Sequence, residues 1–121
     1  MTKGTHLVIS TATELVRVAV RQILYVKSDG NYSTLYMTGG EMRMLSFQLG
    51  QIEKMIADQI PDAGGTFVRI GRGLIINLNY IYLINLAKQQ LVLADMHQGL
   101  HTLSASREAL ASLKKLIEDN V

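Results

Sequence analysis

The segment Phe67-Val-Arg-Ile-Gly-Arg-Gly-Leu-Ile-Ile-Asn77 determines how the rest of the chain is interpreted. It places Arg69 and Arg72 three residues apart in an otherwise apolar run, with a glycine on each side of Arg72. Every formally charged residue from 63 to 94 is positive, so no nearby acid in the sequence neutralises these arginines. Because glycine adopts backbone angles that other residues avoid, the pair of glycines predicts a tight bend. The segment therefore predicts a buried scaffold that presents cations at a bend.

Length and composition indicate one compact domain spanning residues 1–121. Of the 121 residues, 48% are hydrophobic and 18% are charged, which is enough apolar material for a core and argues against disorder. The net charge of +2 gives a mild preference for anionic partners. The chain has no cysteine, which excludes disulfides and thiolate metal sites and fits a reducing compartment.

No targeting or membrane segment is apparent in the sequence. The N-terminus lacks the apolar core and cleavage site of a signal peptide. The longest uncharged stretch, residues 73–87, is too short to span a bilayer as a helix and contains three asparagines. We therefore expect a soluble, cytoplasmic protein without a membrane partner.

Hydrophobic periodicity predicts a mainly β chain with one short central helix and one C-terminal helix. The predicted strands are His6–Ser10, Leu15–Val26, Tyr32–Met37, Glu41–Leu45, a strand ending at Ile70, one starting at Leu74, Tyr80–Ile84, Gln90–Ala94 and Leu100–Leu103. Ser46 is the predicted cap of the central helix, whose apolar positions are Leu49, Ile52, Ile56 and Ile60, and Pro61 ends it. Ser106 is the predicted cap of the last helix, with Leu110, Leu113, Leu116 and Ile117 on one face.

The sequence shows few signs of enzyme, cofactor or metal chemistry. His97 and His101 are four residues apart, but Gly99 between them predicts a turn, and a metal-binding pair at this spacing needs a helical face. A single Gly-x-Gly at Gly71–Gly73 lacks the spacing of a nucleotide-binding fingerprint. The methionines at 37, 42 and 44 are interpreted as core or cross-strand packing. We expect no catalytic activity, no cofactor and no metal.

Cationic and short polar side chains cluster at the predicted loops and are the strongest functional signal. They are Lys27, Asn31, Tyr32 and Ser33 around one tip, Arg72 in the central bend, and Arg107 beside Ser106 at the start of the last helix. Arginine can bind a guanine edge in two places, and asparagine and serine can contact bases or phosphates. The alternative is that all of them are solvated turn residues. The residues alone leave both interpretations open.

Three segments, in this order, resemble the LytTR-type DNA-binding domain of bacterial transcription regulators. The first is Ile23-Leu-Tyr-Val-Lys-Ser-Asp-Gly-Asn-Tyr32, which resembles the family's I-x-Y-I-E-A-x-x-N-Y segment. The second is the central segment with Ile81, which resembles F-x-R-I-H-R-S-x-[IV]-V-N. The third is Leu103-Ser-Ala-Ser-Arg107, which resembles a segment containing V-S-R and leads into a leucine-rich helix. Together they cover nearly the whole chain.

The resemblance implies short β-strands in small packed sheets and DNA binding by loops, without a recognition helix. Base and phosphate contacts in that family come from three places. The matching positions here are Asn31, Tyr32 and Ser33 at the first loop, Arg72 in the central bend and Arg107 before the last helix. Lys27 is assigned as a phosphate contact by proximity only.

The chain departs from the family pattern in the central bend and before the first loop. Gly71 replaces the usual histidine and Gly73 the usual serine, which removes a donor and adds conformational freedom. Lys27 replaces a common acidic residue. We expect a stand-alone regulator that binds promoter double-stranded DNA, with a regulatory protein or a second copy on DNA as a further partner. The alternative is a protein-interaction module or antagonist that kept the fold and lost specific DNA readout.

Overall fold

The computed structural model of the chain describes residues 4–97 and 99–121, which form three antiparallel sheets and two α-helices. The strands are β1 (His6–Ser10), β2 (Leu15–Ala19), β3 (Ile23–Asp29), β4 (Tyr32–Met37), β5 (Met42–Leu45), β6 (Phe67–Ile70), β7 (Leu74–Asn77), β8 (Ile81–Asn85), β9 (Gln90–Asp95) and β10 (Gly99–Ser104). The helices are α1 (Leu49–Gln59) and α2 (Arg107–Asp119). The prediction of a mainly β fold of short strands in small sheets, with a central and a C-terminal helix, is confirmed.

The five-stranded sheet, in the order β5-β4-β3-β7-β6, separates two hydrophobic cores. On one face it packs against the two-stranded sheet β1-β2 and the buried side of α1, where Ile52 and Ile56 lie. On the other face it packs against the three-stranded sheet β10-β9-β8 and α2, where Leu110 and Leu113 lie. Burial of both faces explains why the central strands contain such dense runs of apolar residues.

Strand β7 is the most enclosed element, with all four of its residues buried. Ile75 belongs to the first core, and Leu74 and Ile76 belong to the second. The strand is paired on both edges, with β3 and with β6. The prediction of two strands around a bend at Gly71–Gly73 is confirmed, because the apolar run fills both cores and the glycines sit between the strands.

The predicted single strand Leu15–Val26 is wrong, because the chain leaves one sheet for another within it. A short 3-10 turn, Val20–Gln22, separates β2 from β3, so β2 pairs with β1 and β3 pairs with β4 and β7. The buried Asn77 side chain holds this break: its amide Nδ2 donates to the Ile23 carbonyl at 2.8 Å and lies 3.5 Å from the Val20 carbonyl. The alternation of Val16, Val18 and Val20 runs up to this turn, and the apolar residues Ile23 to Val26 follow directly, so the sequence conceals the break.

The cap of the central helix is corrected, and the interpretation of the three methionines is narrowed. The cap of α1 is Gln48 and not Ser46, and the backbone N–H of Gln48 donates to the Gln51 side chain at 2.8 Å. Met42 and Met44 are about three-fifths exposed on the edge strand β5, opposite Tyr36 and Thr34 of β4, which excludes a core position for them and fits cross-strand packing. Met37 does pack against the first core, as predicted. In the part of the chain that the structure describes, neither helix is long and apolar enough to cross a membrane.

Replacing Asn77 with alanine should lower the free energy of unfolding by about 1–3 kcal/mol, because the Ile23 carbonyl loses the side-chain donor that lies 2.8 Å from it. Equilibrium urea unfolding measures this change. Asn79→Ala is the matched control, since Asn79 is exposed and donates to the Asn77 side chain through its backbone N–H, which the substitution retains. Equal losses in the two variants would contradict the anchoring role of Asn77.

The tyrosine pair inside the second core should make stability depend on alkaline pH. Tyr25 stacks on Tyr36 with ring centroids 4.3 Å apart, and burial, followed by the neighbouring Tyr36, raises the pKa of Tyr25 to about 12. An unfolded tyrosine titrates near 10, so the folded state holds this proton more tightly and stability falls as pH rises from about 10 to 12. Tyr25→Phe should show a shallower fall in urea midpoint over that range. Identical pH profiles would refute this assignment.

Candidate nucleic-acid interface

The bend between β6 and β7 presents Arg72 at the surface, and two of its backbone carbonyls accept hydrogen bonds from outside the bend. Gly71 has φ of +59°, in the left-handed region that glycine tolerates best. The Gly73 carbonyl accepts a hydrogen bond from the backbone N–H of Ser28 at 2.8 Å. The Arg72 carbonyl accepts one from Nη2 of Arg69 at 3.2 Å. The Arg72 side chain is exposed, and the backbone around it is hydrogen-bonded to Ser28 of β3 and to the Arg69 side chain.

The hairpin between β3 and β4 brings Lys27 beside this bend. Lys27 pairs with Leu74, the first residue after the bend, and its side chain is exposed. The hairpin tip is tighter than predicted, because β3 continues to Asp29 and only Gly30 and Asn31 form the turn.

The three polar residues predicted at this tip have different environments. Asn31 is exposed, and its Oδ1 accepts a hydrogen bond from Nε2 of Gln48 at 3.3 Å. Tyr32 is about half exposed. Ser33 is fully buried and its hydroxyl donates to the Phe47 carbonyl at 2.8 Å. The Ser33 side chain therefore faces the protein interior, unlike the exposed Asn31 and the half-exposed Tyr32.

The start of α2 lies near both the bend and Lys27. Ser106 is its cap, as predicted, and its Oγ accepts a hydrogen bond from the backbone N–H of Ala109 at 3.1 Å. Arg107 is the first helical residue and is exposed. The buried side of this helix belongs to the second core, so α2 is fixed to the domain and only its first turn adjoins the candidate site.

These elements enclose an open cleft of about 540 Å³. Its walls are Lys27 and Ser28 of β3, Ile70 to Leu74 around the bend, Thr102 to Ala105 along β10 and beyond, and Ser106 with Ala109 of α2. Lys27 and Arg72 are thus brought together, and Arg107 follows the lining residue Ser106. Asn31 and Tyr32 lie outside the walls, at the hairpin tip.

Sequence reasoning did not identify Ser28, Thr102 and Ser104 as lining residues. The alternation of Leu103 with its polar neighbours was the available signal, because it turns Thr102 and Ser104 away from the core. The position of Ser28 depends on its backbone bond to the bend, which the sequence does not show.

The cations at the cleft differ electrostatically from most other cations of the domain. Within the described residues, Lys27, Arg72 and Arg107 form no ion pair with an acidic side chain. Arg43, Lys54, Arg69, Lys114 and Lys115 each have an acidic partner within 3.5 Å. The cleft therefore has positive charge available for an external anion.

His97 and His101, the pair considered for a metal, both lie near the buried carboxylate of Asp95. Asp95 is buried, and its carboxylate accepts hydrogen bonds from the backbone N–H groups of His97 (2.9 Å) and Gly39 (3.1 Å). The Nε2 atom of His101 lies 3.6 Å from Oδ2 of Asp95. Burial raises the pKa of Asp95, but these neighbours outweigh it and hold the pKa below its usual value. Residues 4–97 and 99–121 contain no group of three or more potential ligands that could hold a metal ion.

Comparison with known proteins places the chain among DNA-binding domains. The family model of the LytTr DNA-binding domain matches residues 13–118. No curated protein matches the chain. Among solved structures, the fold is similar to the LytTr DNA-binding domain of a Bacillus cereus protein described as a methyl-accepting/DNA response regulator. The TM-score is 0.63 at 16% sequence identity, over 93% of this chain and 96% of that one.

The two glycines of the bend should respond differently to alanine. Gly71→Ala forces a left-handed backbone on a residue with a side chain and should cost about 1 kcal/mol of unfolding free energy. Gly73 has no left-handed φ and a Cβ there would meet only open space, so Gly73→Ala should be neutral or slightly stabilising. Urea unfolding of both variants compares the costs. A loss at Gly73 as large as that at Gly71 would contradict this geometry.

Proposed function

The chain belongs to the LytTr DNA-binding domain family, and we propose that it binds double-stranded promoter DNA with sequence specificity through the cleft and the adjoining hairpin tip. On this proposal it is a bacterial, cytoplasmic transcription regulator. The supporting observation is the convergence of Lys27, Arg72 and the start of α2 on one cleft, with cations that have no acidic partner among the described residues. Such a site attracts phosphates, and release of their counterions drives binding.

The proposed division of contacts follows from the position of each side chain. Lys27 lies in a regular strand and can supply a point charge to a phosphate. Arg72 projects from a bend, where its planar guanidinium can reach a base edge in two places. Arg107, with the backbone N–H groups of the first turn of α2, favours a phosphate or a base edge beside it.

The hairpin tip would contact DNA beside the cleft. Asn31 and Tyr32 are exposed there and can offer an amide and a phenol to bases or phosphates. Ser33 is left out of the proposed contacts because of its burial. Loops and strand ends would therefore read the DNA, since the apolar side of α2 is committed to the core.

A second function is favoured by an exposed apolar group on the three-stranded sheet. Tyr82, Leu83 and Leu100 are 66%, 45% and 62% exposed, and they lie on β8 and β10, the two edge strands of this sheet. Such a surface is typical of protein contacts. On this alternative the domain is an interaction module or antagonist whose partner is a regulatory protein or a second copy. Selection of bound sequences from random duplex DNA separates the two functions, because an antagonist would enrich no motif.

Removing either exposed arginine of the proposed site should weaken DNA binding. Arg72→Ala and Arg107→Ala should each cost about 1–3 kcal/mol with the selected duplex if the side chain contacts a base edge. A lost phosphate contact should lower the slope of log affinity against log salt by about 1. Fluorescence anisotropy over a salt series measures both quantities.

Arg43→Ala is the matched control for this prediction. It removes the same charge from an arginine that is paired with Glu14 at 2.7 Å and that lines no wall of the cleft. Its affinity should stay close to that of the unmodified protein. Full affinity in both Arg72→Ala and Arg107→Ala would contradict the proposed contacts, and salt-independent binding would contradict a phosphate site.

A further inference from the structure

The bend that carries Arg72 is held from outside by a second arginine. Nη2 of Arg69 donates to the Arg72 carbonyl at 3.2 Å, and Nη1 of the same guanidinium lies 3.0 Å from Oε1 of Glu53 on α1. We propose that Arg69 is a positioning residue for DNA recognition, which fixes the bend by bridging it to α1 and does not itself contact DNA. The effect on DNA rests on the proposed function, whereas the bridge itself is a property of the free protein.

The need for a bridge follows from the composition of the bend. Glycines at 71 and 73 flank Arg72, and a Cβ at either position would meet nothing within 4 Å. The two glycines therefore contribute no side-chain packing to the bend, and glycine gives this backbone more conformational freedom than any other residue. Besides the pairing of Ile70 with Leu74 at its base, the bend is restrained by the N–H of Ser28 on the Gly73 carbonyl and by Arg69 on the Arg72 carbonyl.

The geometry of Arg69 suits a bridge better than a phosphate contact. Two nitrogens of its planar guanidinium are already engaged in different directions, by a carboxylate and by a backbone carbonyl. Its side chain is 32% exposed, and the neighbouring carboxylate offsets its charge. A phosphate at this place could use only the N–H donors that remain, beside a carboxylate that repels it.

Glu53 provides a test in which simple electrostatics and positioning predict opposite signs. Removing a negative charge from a DNA-binding protein strengthens attraction to phosphates. If Glu53 holds Arg69 in place, however, Glu53→Ala should weaken binding by about twofold to tenfold, the change expected from losing one hydrogen bond. Glu14→Ala is the control, because Glu14 is also a carboxylate paired with an arginine. Its partner is Arg43 on β5, away from the bend. It should leave affinity unchanged or slightly raised.

Substitutions at Arg69 separate bridging from direct contact. Lysine keeps the charge but cannot donate in two fixed directions from one planar group. Bridging predicts that Arg69→Lys and Arg69→Ala both weaken binding, and that neither adds a further loss when Arg72 is already alanine. Retained affinity in Arg69→Lys, or a full further loss in the Arg72→Ala background, would show direct phosphate contact and overturn the proposal.

The free protein gives a readout that does not depend on DNA. Backbone ¹⁵N relaxation should show increased mobility of the amides at 71–73 in Arg69→Ala and in Glu53→Ala, and no change there in Arg43→Ala. Unchanged relaxation would overturn the bridge whether or not the protein binds DNA. Increased mobility with no DNA binding by the unmodified protein would support the bridge and refute the proposed function.

Discussion

The fold depends on a single buried amide, that of Asn77. Its side chain is fully buried, so its hydrogen-bonding groups must find partners inside the protein. It donates to the Ile23 carbonyl where the chain passes from the two-stranded to the five-stranded sheet, and it accepts from the backbone N–H of Asn79 in the turn after β7. One side chain thereby contacts both the sheet crossover and the turn that ends β7. The other end of that strand is the bend that carries Arg72, so sheet order and site geometry share one element.

Much of the fold was predictable because the strongest signals were local. The apolar run around the two glycines specified a strand, a bend and a strand, and the spacing of Ile52 and Ile56 specified α1. The failure at residues 15–26 has a tertiary cause. The alternation of Val16, Val18 and Val20 leads directly into another apolar run, so the sequence gives no local sign of the crossover that the distant Asn77 stabilises. The sequence left Met42 open between the core and cross-strand packing for a related reason, since a strand's sequence does not say that it lies at an edge.

The loops of the candidate site were predictable from the sequence. The burial of each side chain and its bonding partners were not. Turn-forming residues placed Arg72 correctly in a bend, and Ser106 correctly predicted the start of α2. The burial of Ser33 depends on which face of β4 meets a core, and β4 is almost wholly buried on both faces near that point. The role of Arg69 depends on Glu53, sixteen residues away on a helix. The sequence alone therefore does not show whether a cation has an acidic partner. In the central segment this pairing distinguishes Arg69, which is paired with Glu53, from Arg72.

The enclosure of β7 has a consequence for the order in which the domain comes apart. Amides in a strand that is buried on both faces and paired on both edges exchange with solvent only through large openings, whereas edge strands fray in smaller ones. The outer strands β5, β6 and β10 can therefore open locally while β7 stays paired with β3. Arg72 thus belongs to a hairpin with one fraying arm and one protected arm. The bend proposed to contact DNA is therefore attached to a protected strand, so local opening of the edge strands leaves that attachment intact.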